Sequence, residues 1–143
     1  MAEKEVACTV HRLVADVALI ADGHVAMVRY RNADRYDGQT GWFLPDDFLM
    51  HEEHPDRAAS RILKEQLSAI LRGPRLGFVE SFGNGGWHLI FHYRVDVPRR
   101  PAIKAGKNVA ALEWFDLRKL PPAGDIAHHG WARSTIARLL KDR

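Results

Sequence analysis

Apolar and β-branched positions crowd residues 11–20 and 25–30, and Asp22-Gly23 separates the two runs. A two-residue hairpin turn needs central residues that tolerate positive φ, so this pair predicts a β-hairpin. Residues 32–40 are polar and contain Gly38, which predicts a loop, and a short strand is predicted over residues 41–44, stopped by Pro45. The clearest helix opens near Pro55, at a position where the missing N–H of proline costs nothing. Asp56 suits the positive end of the helix dipole. Ala59, Leu63, Leu67, Ile70 and Leu71 follow at helical spacing as the core face, and Gly73-Pro74 ends the pattern.

Residues 76–82 and 87–97 form a second hairpin pattern around the glycine-rich turn 83–86. A basic, proline-punctuated loop covers 98–107, a short strand 110–115, and Leu120-Pro121-Pro122 is a break. Residues 129–140 close the chain as an amphipathic helix with Trp131, Ile136, Leu139 and Leu140 facing inward. No internal repeat is evident. The order hairpin, strand, helix, hairpin, strand, helix predicts a mixed sheet covered by helices.

Composition narrows the class. At 143 residues, with 46% hydrophobic and 27% charged positions, one globular domain over 1–143 is expected. The formal charge of +3 suits an anionic ligand but equally a solvated basic surface. Cys8 is the single cysteine, so no intramolecular disulfide is available, which fits a reducing compartment. The start of the chain, with Glu3, Lys4 and Glu5, lacks a signal pattern, and the run 14–20 is short and interrupted by Asp16. A cytoplasmic protein with no membrane partner is expected.

Several side chains invite chemistry. His88 and His92 share a strand face, but at roughly 3.3 Å per residue they lie about 13 Å apart, too far to chelate one ion, so a structural or substrate-contact role is expected. His51 and His54 flank Glu52 and Glu53, where an N-cap or a solvent-exposed role competes with a metal site. Arg99, Arg100, Lys104 and Lys107 lie in one loop with little aromatic interleaving, so phosphate contact competes with a solvated surface and specific nucleic-acid binding is not expected. Of Trp42, Trp87, Trp114 and Trp131, Trp87 beside the glycine turn is the candidate for base stacking. Cys8 has no recognisable nucleophile context.

The run Gly41-Trp42-Phe43-Leu44-Pro45, followed by the helix from Pro55, resembles the Nudix hydrolase signature. That pattern is Gly, five residues, Glu, seven residues, Arg-Glu, an aliphatic, one residue, Glu-Glu, one residue, Gly. Laid on this chain without gaps, it keeps Glu53, Arg61, Leu63 and Glu65. Asp47 stands for the leading glycine, Ile62 and Gln66 for two of the glutamates, and Ser68 for the closing glycine. Residues 110–122 and the lead-in His128-His129-Gly130-Trp131 are similar to later parts of the family. The resemblance implies an α/β (α+β) fold, the Nudix-type α/β/α sandwich with a mixed β-sheet. A shared fold does not itself imply activity.

In the family, the helix glutamates converge on Mg²⁺ or Mn²⁺, which bridges the substrate pyrophosphate. Here Ile62, Glu65 and Gln66 occupy those positions, and one carboxylate of three remains. By the resemblance, Glu65 is the catalytic candidate, Glu65, Glu53 and Asp47 the metal candidates, and Arg61 with Glu53 the structural brace. Asp46-Asp47 replaces the family's glycines and reads either as a rearranged metal site with Glu52 or Glu65, or as an acidic surface loop. Trp87, Arg99 and Arg100 are the substrate-binding candidates. The resemblance implies a small-molecule nucleotide derivative as partner, and a homodimer as the family's frequent state. Two functions follow. One is a hydrolase of nucleoside diphosphates linked to another moiety, with weak or altered metal-dependent pyrophosphohydrolase activity, using Mg²⁺ or Mn²⁺. The other is a non-catalytic module, without metal, that binds a nucleotide-like ligand or a protein partner.

Overall fold

A computed structural model describes residues 11–83 and 86–141. Cys8, the first six residues and two members of the glycine-rich turn, Asn84 and Gly85, lie outside the described residues. Among the described residues, six strands form one mixed sheet: β1 (His11–Ala21), β2 (His24–Tyr30), β3 (Asp46–Phe48), β4 (Arg75–Gly83), β5 (Trp87–Val97) and β6 (Val109–Asp116). The order is β4-β5-β1-β2-β6, with β3 paired to β1 off this path. β1 runs parallel to β5 from His11↔Trp87 to Ala21↔Val97, and the other pairs are antiparallel. Asp22 and Gly23 both take positive φ, as the hairpin reading requires.

Two helices, α1 (Pro55–Leu67) and α2 (Ala127–Lys141), cover opposite faces. Ala15, Val17 and Leu19 of β1 pack with Ile62, Leu63 and Leu67 of α1, while Ala18 and Ile20 belong to the cluster that holds Ile136 and Leu139 of α2. A central strand covered on both faces reads as a nearly continuous apolar run. Asp16 is the one polar residue in its buried stretch. This is the mixed α+β sandwich the resemblance implied.

Three local expectations are corrected. Residues 41–44 make only isolated bridges, Phe43 to Val28 on one side and Trp42 to Ile126 on the other. Beyond Pro45 the chain meets β1, so the regular strand is β3 instead. Second, α1 stops at Leu67, with Ser68 left-handed at φ 55° as its cap, and Ile70 is 84% exposed rather than core. The loop residues Lys104, Gly106 and Lys107 donate backbone N–H groups to the carbonyls of Leu67, Gln66 and Glu65. These take the carbonyls that further helix would have used. A Cβ on Gly106 would lie 2.0 Å from the Glu65 carbonyl oxygen, so only glycine permits this approach. Third, α2 opens through a left-handed turn at His128, His129 and Gly130, and Leu140 faces solvent while Ile136 and Leu139 are buried.

Candidate functional site

A cleft of about 400 Å³ opens between the sheet and the start of α2, a size suited to a small organic ligand. Its floor includes Asp46 and Asp47 of β3, Glu80 of β4 and Ile90 of β5, and Trp131 of α2 closes one side. Arg12 and Arg35 stand at the rim, engaged with Asp37 at 3.0 Å and Asp47 at 3.8 Å. Asp46 and Asp47 lie in extended backbone, so replacing glycine costs no left-handed strain here. Burial pushes the Asp46 carboxyl well above the usual carboxylate range, and the nearby Asp16, Asp47 and Asp37 add to the shift.

The helix positions are organised around Arg61. Its Nε and Nη2 donate to the two carboxylate oxygens of Glu53 at 2.8 and 3.0 Å, and Nη2 also reaches the Phe48 carbonyl. Its Nη1 donates to Asp47 at 2.9 Å and to Glu65, one helical turn on, at 2.8 Å. Hydrogen bonds and charge from Arg61 hold the Glu53 carboxyl below its ordinary range. The three metal candidates are thus brought together, but about a guanidinium.

A resident divalent cation does not fit this arrangement. Glu53 gives both oxygens to Arg61, and Asp47 gives Oδ2 to Arg61 and Oδ1 to the Phe48 N–H. Among the described residues, no group of three or more His, Cys, Asp or Glu side chains is disposed to hold a metal ion. Ile62 is fully buried in the α1-side core. Gln66 is also buried, and both ends of its amide are used: Nε2 donates to the Asp46 carbonyl at 2.7 Å and Oε1 accepts from the Tyr30 hydroxyl at 2.7 Å. It ties α1 to β3 as a neutral cross-brace. Gln66→Glu would set a carboxylate oxygen against the Asp46 carbonyl, acceptor against acceptor. The expected loss is about 1–3 kcal/mol, read as a lower urea midpoint at neutral pH, and an unchanged midpoint would contradict the cross-brace role.

A second polar unit centres on His92, whose structural or substrate-contact role is expected from sequence but whose partners are not. His92 of β5 is fully buried, and its Nδ1 lies 2.8 and 2.9 Å from the two oxygens of Asp16, itself 5% exposed. Its Nε2 lies 2.6 Å from Glu80 Oε1. Burial pulls the imidazole down, but Asp16 and Glu80 together outweigh it and hold His92 above its ordinary value. Burial likewise pushes Asp16 up, against the pull of His92. Asp16 breaking an apolar run was the available signal, and its partner is far away in sequence.

The proposed substrate contacts are dispersed. Trp87, 45% exposed, occupies the alternate register of β5 from His88, Ile90 and His92, and donates to the Ser81 hydroxyl at 2.8 Å. Arg99 and Arg100 lie in the exposed loop after β5 and do not line the cleft. The aromatic rings at the cleft are instead Tyr36, Phe43, Phe48, Phe82 and Trp131, with His88 stacked on Phe82 at 5.0 Å. His54 caps α1, accepting from the Asp56 N–H.

The family model described as NUDIX domain matches residues 10–139. Among solved structures, the MutT NUDIX hydrolase from Burkholderia pseudomallei is 21% identical, with a TM-score of 0.72 over 92% of this chain and 97% of that one. The NUDIX domain of Shewanella oneidensis NrtR, solved with ADP ribose, is 16% identical, with a TM-score of 0.71 over 92% and 90%. A C. elegans Ap4A hydrolase in a binary complex is 12% identical, with a TM-score of 0.69 over 91% and 96%. Among curated proteins, none matches the chain.

Proposed function

This chain belongs to the Nudix family, and from that premise we propose that it binds a nucleoside diphosphate derivative in the cleft between sheet and α2 without the family's metal-dependent hydrolysis. The observation that carries the reading is the use already made of the helix positions. Arg61 holds Asp47, Glu53 and Glu65, Ile62 belongs to the core, and the Gln66 amide bridges Tyr30 and Asp46. Each of these contacts stabilises the fold and withdraws an atom from a cation. The ligand class rests on the cleft and on similarity to a NUDIX domain that was solved with ADP ribose.

ADP-ribose is the first probe. A ligand that binds only the folded state stabilises it by about 2.7 kcal/mol at a hundred times its Kd. The expected result is a Tm that rises by several degrees with ADP-ribose, with no products after incubation in Mg²⁺ or Mn²⁺. The hydrolase reading has one observation in its favour, the part-exposed Glu65 at the end of the Arg61 network. Turnover that disappears in Glu65→Ala would therefore overturn the non-catalytic assignment. Absence of any Tm change or calorimetric binding, with ADP-ribose and other nucleoside diphosphates alike, would overturn the ligand class.

A further inference from the structure

The cleft face of the β4–β5 hairpin is graded from rim to core. The paired residues on that face are Phe82 with His88, then Glu80 with Ile90, then Phe78 with His92. At the rim, the Phe82 and His88 rings stack with only 2° between their planes. At the deep end His92 is enclosed, with Phe78 centred 4.4 Å from its ring and Trp131, nearly perpendicular to it, centred 5.7 Å away. Between them stands Glu80, whose side chain is 31% exposed and lines the cleft. Its Oε1 is taken by His92, and its Oε2 makes no hydrogen bond among the described residues.

We infer that Glu80 is the residue that selects the ligand's nucleobase, its Oε2 accepting a hydrogen bond from an exocyclic amine of a ring lying against the cleft's aromatic wall. The inference rests on the nucleoside diphosphate reading above. A carboxylate oxygen only accepts, so it favours a ring edge that donates and disfavours one that offers a carbonyl. The aromatic rings that line the cleft, Phe82 stacked with His88 and Trp131, suit a planar heterocycle better than a sugar. Asp16 and His92 are positioning residues. The buried imidazole, fixed on both Asp16 oxygens, grips Glu80 Oε1 and so fixes the direction in which Oε2 points. Glu80 lies on β4 rather than on α1 and uses no atom of the Arg61 network.

Three pairs of ligands isolate the amine: ADP against purine riboside 5′-diphosphate, GDP against IDP, and CDP against UDP. Each is titrated into the full chain by calorimetry. At least one amine-bearing member is expected to bind roughly tenfold or more tightly than the analogue paired with it, since a site built around a ligand donor rejects the analogue that lacks it. Glu80→Gln, which keeps the shape but adds a donor, is expected to bring that ratio close to one. His92→Gln is expected to reduce it partly and Asp16→Asn less still. The His92 imidazole nitrogens, followed by NMR in the wild type and in Glu80→Gln, give a readout free of ligand. Loss of the Glu80 partner is expected to move the His92 titration to lower pH. Equal binding within all three pairs, or a ratio that survives Glu80→Gln, would overturn the base assignment while leaving the nucleotide reading standing. Failure of all six nucleotides to bind would overturn both. An unmoved His92 titration would overturn the positioning role.

Discussion

Replacing Arg61 by alanine is expected to cost about 3–5 kcal/mol, because it leaves partly buried carboxylates without the cation that holds them. The Arg61 side chain is 17% exposed, and its guanidinium bonds Glu53, Asp47, Glu65 and the Phe48 carbonyl together. A loss of that size is a large share of the roughly 5–15 kcal/mol that holds a typical domain folded. Arg61→Lys keeps the charge but not the planar fork, so it is expected to recover less than half of the loss. Urea denaturation at neutral pH reads both, and an Arg61→Ala midpoint equal to that of the parent would refute the account. The same variant tests the metal argument from the other side. With the guanidinium gone, Asp47, Glu53 and Glu65 face one another, and Mg²⁺ is expected to raise the Tm of Arg61→Ala while leaving the parent unchanged. An equal response in both proteins would show that Arg61 is not what keeps the cation out.

Stability is expected to fall as pH rises from about 6 to 9, with His92 responsible for the slope. A histidine whose folded pKa lies above its unfolded value of 6.5 contributes fully below that value and loses the contribution as pH climbs through the folded one. Asp16 and Asp46 are raised from 3.8, chiefly by burial, so they also bind protons more tightly in the fold and their contributions too are lost as pH rises. All three have the same sign. Glu53 works in the opposite sense: its lowered pKa gives stability that is present above about 4.5 and lost as acid protonates it. The dome of stability is therefore expected to peak on the mildly acidic side, between roughly 4.5 and 6.5. Urea midpoints at pH 6 and pH 9 check this, with His92→Gln expected to flatten the difference. A wild-type midpoint that does not change over that interval would contradict the coupling.

What sequence could show depended on whether a feature was local. The Asp22-Gly23 hairpin, the Pro55 helix start and the order of elements are written in neighbouring residues, and the structure repeats them. The spacing from Glu53 through Arg61 to Glu65 was equally legible, because one loop and one helix carry it. The helix end was not. Ile70 and Leu71 continue the apolar period, and only the arrival of residues 104–107 at the last carbonyls explains why the helix stops at Leu67. Gln66 looked like a lost ligand, and its role as a bridge depends on Tyr30 and Asp46, 36 and 20 residues away. The buried Asp16–His92 pair behind Glu80 was the most hidden. Asp16 showed as a break in an apolar run, but nothing nearby pointed to His92, which lies 76 positions along the chain.

The long parallel pairing of β1 with β5 also shapes how the molecule is made. β1 is the strand on which β2, β3 and β5 converge, yet its whole partner β5 is among the later segments to leave the ribosome. Closing a loop of that length precedes the contacts that repay its entropy, which makes folding slow for a chain of this size. Until residues 87–97 arrive, β1 has no ladder partner on its β5 side, and that edge of backbone N–H and C=O groups is unpaired. The same topology that buries Asp16 in the middle of the finished sheet therefore leaves that strand without its parallel partner until late in synthesis.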